Sequence, residues 1–126
     1  MYSKWYFTFI IGLLLLLGSC QRFDIVQCEM NVEHHPDSTW TVCNVRITDD
    51  GGFNYFSEKG YCVSFYNNPT ILDVDAEVTR LGETGDEERE YSWKMRLTEH
   101  DTTYYIRAYI KNNAGLAYSN TVPVKN

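Results

Sequence analysis

The sequence has few of the residues that point to disorder, to long linkers or to a nucleic-acid partner. It contains only three prolines and no low-complexity tract, which leaves little room for an extended linker. Its 17 acidic residues outnumber 11 basic ones, and the basic residues form no run. This balance argues against nucleic acid and against anionic lipid headgroups as partners. No apolar run reaches the roughly 20 residues of a membrane-spanning helix.

The first residues have the order of a secretory targeting signal. Lys4 carries the only charge in residues 1–19, and the apolar run 10–17 precedes the small residues Gly18 and Ser19. A charged start, an apolar run and a small-residue site are typical of a removable signal peptide. We therefore predict that residues 1–19 are removed. The remainder has 10 basic and 17 acidic residues, a net charge of −7.

The end of this signal is similar to a known processing site. Leu17-Gly18-Ser19-Cys20 resembles the lipobox of bacterial lipoproteins. The resemblance implies that Cys20 becomes the first mature residue and carries a diacylglyceryl group, with further acylation, such as palmitate, on its amine. Two or more acyl chains give stable anchoring, at about 0.8 kcal/mol per buried CH₂. Because Gln21 is not the aspartate of an inner-membrane retention signal, we expect outer-membrane anchoring in the cell envelope, on the periplasmic or the surface face.

The rest of the chain is predicted to be one all-β domain, residues 24–126, behind a short lipidated tether, 20–23. Ten tyrosines, three tryptophans and six phenylalanines favour strands over helices. Strand-like runs alternate with turn clusters such as residues 49–52, which is the pattern of an antiparallel β-sandwich. The seven predicted strands are 23–32, 40–48, 60–66, 74–81, 90–97, the strand within 102–115, and 116–124.

The sixth and seventh predicted strands form a hairpin with two possible registers. A two-residue loop at Asn113-Ala114 would pair Ile110 with Ala117 and turn the end of the last strand outward. A three-residue loop would include Gly115, where a hairpin of that length needs a left-handed residue. It would also bury the apolar set of both strands, so we predict this register. Its pairs are Ile110 with Tyr118, Ile106 with Val122, and Tyr104 with Val124.

The segment 102–120, with residues 48–52, 60–71 and Leu97, resembles the fibronectin type III-like domains of bacterial outer-membrane and surface lipoproteins. The resemblance implies an immunoglobulin-like, seven-stranded antiparallel sandwich. It also implies that the Tyr104 hydroxyl bonds to the backbone across the loop that begins near Leu97. Members of this family are mostly interaction or spacer modules. We therefore expect a non-catalytic interaction module, serving adhesion or an envelope complex.

One row of side chains on the sixth strand is a candidate binding face: Tyr105, Arg107, Tyr109 and Lys111. In one interpretation, these residues only cover an open sheet face, with cross-strand pairs worth about 0.2–1 kcal/mol each. In the other, they form a binding stripe for a protein or a glycan, since tyrosine combines an apolar ring with a hydroxyl and arginine is a planar donor. A glycan-binding accessory lipoprotein and a purely structural envelope lipoprotein are the alternative functions.

Three cysteines remain after Cys20 in an oxidising compartment. If the first two strands turn symmetrically about His35 and Pro36, Cys28 lies opposite Cys43. That pair is then a candidate disulfide, worth about 3 kcal/mol. Free, buried thiols are the alternative, and we expect Cys62 to pack as a small apolar residue.

No group of residues has the spacing of a known catalytic or metal site. His34 and His35 fit no compact zinc motif with the nearby cysteines. His100 beside Asp101 lacks an activated nucleophile. The acidic loop 83–90 lacks the alternating ligand order of a calcium loop. We therefore predict no metal, no cofactor and no enzymatic activity.

Overall fold

The computed structural model describes residues 24–35, 40–52, 56–84 and 89–126. The predicted signal peptide, Cys20, the tether 20–23 and most of the acidic loop lie outside these ranges. The described residues form seven antiparallel strands in two facing sheets, and this confirms the predicted all-β sandwich. The strands are β1 (Gln27–His34), β2 (Thr41–Asp49), β3 (Phe56–Ser64), β4 (Glu77–Thr84), β5 (Glu90–Met95), β6 (Thr103–Asn112) and β7 (Gly115–Lys125).

The two sheets have the orders β1-β2-β5 and β4-β3-β6-β7. Strand β1 also runs beside β7 of the other sheet, and one side chain joins them. The Met30 N–H donates to Asn120 Oδ1 at 2.8 Å, and Asn120 Nδ2 donates to the Met30 carbonyl at 3.1 Å. The amide of Asn120 thus pairs with the free edge of β1 as a strand would. This closes one side of the sandwich.

The core lies between the sheets and is rich in aromatic side chains. Trp93 of β5 stacks on Tyr61 of β3, with ring centroids 4.4 Å apart and planes 3° from parallel. The predicted alternation of β5 is confirmed, because Trp93 is buried while its neighbours Ser92 and Lys94 are exposed. Burying a large apolar side chain contributes about 1.5–3 kcal/mol, so contacts between the two sheets supply much of the stability.

The loop between β5 and β6 is closed by Tyr104, as the sequence predicts. Tyr104 is buried, and its hydroxyl accepts a hydrogen bond from the Glu99 N–H at 2.8 Å. The side chain of Asn126 also donates to the Leu97 carbonyl at 2.8 Å. The two bonds tie the C-terminus and the loop to the same end of the sandwich.

The β6–β7 hairpin combines the two predicted registers. Away from the turn, Tyr104 pairs with Val124 and Ile106 with Val122, which confirms the chosen register there. Near the turn, Ile110 pairs with Ala117, so the predicted three-residue loop is wrong.

A bulge reconciles the two halves of the hairpin. The register shifts by one residue between Arg107 and Tyr109, where β7 has the extra residue. Ser119 occupies the bulge and its hydroxyl accepts the Ala108 N–H at 2.9 Å, which replaces a ladder bond. At the tip, Asn112 Oδ1 accepts N–H groups from Ala114 and Gly115, at 2.9 and 3.1 Å, and this stabilises the shorter loop.

The predicted Cys28–Cys43 disulfide is wrong. Cys28 lies opposite Ile47, and Cys43 lies opposite Val32, so the two thiols are four positions apart in the register. All three cysteines in the described residues are free. The reason is the connection 35–40, which is longer than a tight turn about residues 35 and 36 and shifts the pairing of β1 with β2.

The start of the domain is fixed at one end of the sandwich. The Asp24 N–H donates to the Gly51 carbonyl at 2.9 Å, and Asn112 Nδ2 donates to the Asp24 carbonyl at 3.0 Å. We call this the N-terminal end, and the opposite end the far end. Strand β3 has nine residues and runs between the two, about 30 Å at ~3.3 Å per residue. No helix in the described part of the chain is long and apolar enough to cross a membrane.

Candidate functional site

The predicted binding row on β6 is largely occupied by contacts within the protein. Tyr109 is only 1% exposed, so the expectation that it faces solvent is wrong. Tyr105, Arg107 and Lys111 are half-buried. The cause is the position of β6, which is an inner strand whose outer row packs against side chains from β3 and β7 and against the segment that follows β3.

Tyr109 covers a glycine of the neighbouring strand. It pairs with Gly60, and a Cβ atom built at Gly60 would lie 2.7 Å from a ring carbon of Tyr109. Burial and the neighbouring carboxylate of Glu58 raise the pKa of Tyr109 to about 12. Its hydroxyl therefore stays neutral, and the side chain fills a gap in the sheet instead of offering a contact to a ligand.

Lys111 is engaged in a small ion-pair network on the same face. Glu58 contacts Arg80 Nε at 3.2 Å through one carboxylate oxygen and Lys111 Nζ at 3.5 Å through the other. Both cations are more than a third exposed, so each pair is worth only about 0–1 kcal/mol. These charges hold neighbouring strands in register.

Arg107 fastens the connection between β3 and β4 to the outer face of the sheet. Its Nε donates to the Ser119 carbonyl at 3.1 Å, and its Nη1 reaches the Pro69 carbonyl at 3.5 Å. The guanidinium also lies over the ring of Tyr118, 4.2 Å from the centroid. The Tyr118 hydroxyl in turn accepts the Ile71 N–H at 3.0 Å. Arg107, which the sequence suggested as part of a binding stripe, therefore holds a loop in place.

This loop is also hydrogen-bonded within itself. The Thr70 N–H donates to Asp73 Oδ2 at 2.8 Å, and the Asp73 N–H donates back to the Thr70 carbonyl at 3.2 Å. Thr121 of β7 donates to Asn68 Oδ1 at 2.8 Å. Because it is hydrogen-bonded both to the sheet and within itself, the loop has a defined conformation at the far end of the domain.

The loop presents a concentrated set of exposed apolar side chains. Leu72 is 86% exposed and Val74 is 97% exposed. Of the seven large apolar residues exposed in the described part of the chain, five lie between residues 65 and 78. Scattered apolar residues are normal on a surface, whereas their concentration in one short stretch of the chain makes this stretch a candidate interaction site. We call this surface the apolar corner, formed by Phe65, Tyr66, Leu72, Val74 and Val78.

A second surface lies on the outer face of the three-stranded sheet. It is a concave cavity of about 640 Å³, and we call it the polar groove. It is built by two cross-strand rows, because each row takes one residue from β1, β2 and β5. The rows are Glu29–Arg46–Glu90 and Asn31–Asn44–Ser92. The sequence analysis missed this groove, although the outward positions of the three strands are all polar here.

The thiols have no catalytic environment. Burial raises the pKa of Cys43 to about 12 and the pKa values of Cys28 and Cys62 to about 11, so all three stay protonated at neutral pH. Cys62 is fully buried, as predicted, on the outer face of the four-stranded sheet opposite Arg107.

His34 and His100 differ in their surroundings. His34 Nδ1 lies 2.8 Å from Thr41 Oγ1. His100 is exposed, and its carbonyl accepts a hydrogen bond from the Thr102 hydroxyl at 3.0 Å. Within the described ranges, no three His, Cys, Asp or Glu residues are grouped so that they could hold a metal ion.

Comparison with known proteins supports the fold alone. No family model matches the chain, and no curated protein does. Among solved structures, the chain is similar to a DUF3823 family protein from Bacteroides ovatus ATCC 8483, with a TM-score of 0.52 and 13% identity. The match covers 78% of this chain and 55% of that one, so the chain spans about half of its structural neighbour.

Proposed function

We propose that this protein is a lipid-anchored, non-catalytic interaction module of the bacterial cell envelope, with a fibronectin type III-like domain. The lipobox-like sequence before Cys20 supports the anchor, with the outer membrane as its location. The division of seven strands into three and four, and the bond from the Glu99 N–H to the Tyr104 hydroxyl, support the domain type.

The observation that carries the proposal is the placement of the apolar corner relative to the chain start. Asp24 is bonded at the N-terminal end, only four residues after Cys20. A lipid on Cys20 holds that end at the membrane surface. The apolar corner lies at the far end, about 30 Å away along β3 at ~3.3 Å per residue. The module therefore displays Leu72 and Val74 away from the bilayer.

The chemistry of the corner suits a protein partner with an apolar surface. Its exposed aliphatic and aromatic side chains stand on a loop that is already hydrogen-bonded, so little ordering is needed on binding. Aromatic and aliphatic residues inside a polar rim are the usual anchors of protein interfaces.

Photocrosslinking in cells tests the protein partner. A benzophenone amino acid placed at Leu72 should give one discrete protein adduct. The same group at Asn113, which is exposed in the hairpin tip at the N-terminal end, should give none. No adduct at Leu72, or equal adducts at both positions, would contradict display through the far end and favour a purely structural role.

A separate experiment tests the anchor. The wild-type chain should incorporate an alkyne-tagged fatty acid and sediment with membranes, and Cys20→Ala should do neither. If Cys20→Ala remains labelled and membrane-bound, the lipid is not on Cys20.

A further inference from the structure

The polar groove carries a row of side chains with unused hydrogen-bonding capacity. Asn31 lies opposite Asn44, and Asn44 lies opposite Ser92, so one amide or hydroxyl comes from each strand of the sheet. Asn31 and Ser92 are exposed and Asn44 is half-buried. Across the ranges that the structure describes, none of the three side chains forms a hydrogen bond, although each offers both a donor and an acceptor.

The adjoining row has alternating charge that is not neutralised by direct contact. Arg46 lies between Glu29 on β1 and Glu90 on β5. The ion pairs found among the described residues do not include any of these three side chains. The row therefore presents a guanidinium fork between two carboxylates, each directed to the same concave face.

This arrangement selects the chemical class of ligand. Glu29 and Glu90 repel an anion on either side of Arg46, and Arg46 repels a cation at the centre of the row. An apolar ligand would strip water from these groups without replacing its hydrogen bonds, which opposes binding. A neutral, hydroxyl-rich ligand avoids the charge repulsion and replaces the hydrogen bonds to water. Every hydroxyl group can donate to a carboxylate or amide oxygen and accept from an amide or guanidinium N–H.

We propose that the polar groove binds a neutral oligosaccharide. The cavity of about 640 Å³ falls within the size range of small-molecule sites, about 300–1,000 Å³. The groove is built mainly on the three-stranded sheet, with Asn120 of β7 as a further lining residue, whereas the apolar corner belongs to the β3–β4 connection of the four-stranded sheet. The saccharide site is therefore independent of the protein partner proposed above, and each can be tested without the other. It also differs from the β6 row, where Tyr109 is buried.

Calorimetry on the full lipidated chain in detergent micelles tests this site. The probes are the neutral tetrasaccharides of glucose, mannose and xylose, with an acidic galacturonic acid tetramer and a basic glucosamine tetramer for comparison. We expect at least one neutral probe to bind, and both charged tetramers to bind more weakly than that probe. The double variant Asn31→Ala/Asn44→Ala should weaken binding by about tenfold, because it removes two side chains that would hydrogen-bond the ligand.

Two controls separate the site from the fold and from the apolar corner. Leu72 lies in the loop between β3 and β4 of the other sheet, so Leu72→Ser should leave saccharide binding unchanged. Thermal unfolding of the double variant should match the wild type, because both asparagines are on a hydrated face. The proposal is overturned if no neutral probe binds, if either the acidic or the basic tetramer binds more tightly than every neutral one, or if a folded double variant binds like the wild type.

Discussion

Replacing Arg107 by methionine should release the β3–β4 loop from the sheet. Methionine keeps an unbranched apolar stem but removes the guanidinium. The Ser119 carbonyl then loses its donor at 3.1 Å, and the cation over the Tyr118 ring is lost as well. The longer contact to the Pro69 carbonyl, at 3.5 Å, is at the limit of a hydrogen bond and adds little.

The expected loss follows from these contacts. A hydrogen bond from a charged donor contributes about 1.5–3 kcal/mol. A partly exposed cation–π contact adds about 0.5–1 kcal/mol. Because Arg107 is only half-buried, we take the lower part of each range and expect Arg107→Met to lower the free energy of unfolding by about 2–3 kcal/mol.

Urea unfolding followed by tryptophan fluorescence measures the global effect, and amide hydrogen exchange measures the local one. The Ile71 amide is bonded to Tyr118, which Arg107 covers, so it should exchange faster in Arg107→Met. Arg107→Lys is the matched control, because it keeps the charge but loses the planar fork, and it should lose less stability.

One combination of results would refute this reasoning. If Arg107→Met loses less than about 0.5 kcal/mol, the range of an ordinary surface substitution, Arg107 does not fasten the loop. Unchanged exchange at Ile71 would point the same way. The crosslink from Leu72 would then be expected to survive the substitution.

Three further predictions concern the sandwich itself. Gly60→Ala should destabilise strongly, by about 2–3 kcal/mol, because the new Cβ would overlap the backbone carbonyl oxygen of Thr79; a urea midpoint equal to that of the wild type would contradict the close approach. Tyr104→Phe leaves the Glu99 N–H without its partner and should cost about 1–3 kcal/mol; chemical denaturation measures it, and a loss below that range would mean that water replaces the hydroxyl. Cys43 and Cys62 are fully buried and should be inert to Ellman's reagent at pH 8 until the chain unfolds, whereas the half-buried Cys28 should react slowly; rapid labelling of more than one thiol in the native protein would contradict this burial. On folding, the pKa values of all three thiols rise from an ordinary 9.0 to about 11 or 12, so the unfolded chain loses its protons first. The free energy of unfolding should therefore fall from pH 9 towards pH 11, and these thiols should not change it below pH 9.

Much of the fold follows from local patterns. Alternation along β5 and β6 identifies the core faces, and turn clusters separate all seven strands near their observed bounds. The role of Tyr104 at the start of β6 was implied by the family resemblance, and the hydrogen bond from the Glu99 N–H confirms it. These features depend on residues close in sequence.

Pairing between strands is less predictable. The β1–β2 register depends on the length of the connection 35–40, and the β6–β7 register depends on a bulge that the apolar pattern cannot locate. The two competing hairpin registers were each right for half of the strand pair. Cys28 and Cys43 were separated by the same kind of shift.

The sequence by itself determined the succession of strands and, along β5 and most of β6, which side faces the core, because alternation with a period of two is a local property. The tertiary structure alone decided what covers the outer sides. Tyr109 is buried because a glycine lies opposite it. Arg107 forms its contacts within the protein because the β3–β4 loop crosses it. Leu72 and Val74 are exposed because that loop is fastened by its other residues. The polar groove exists only because three strands bring their polar rows side by side. Such coverage depends on contacts between residues far apart in the chain, which no local pattern records.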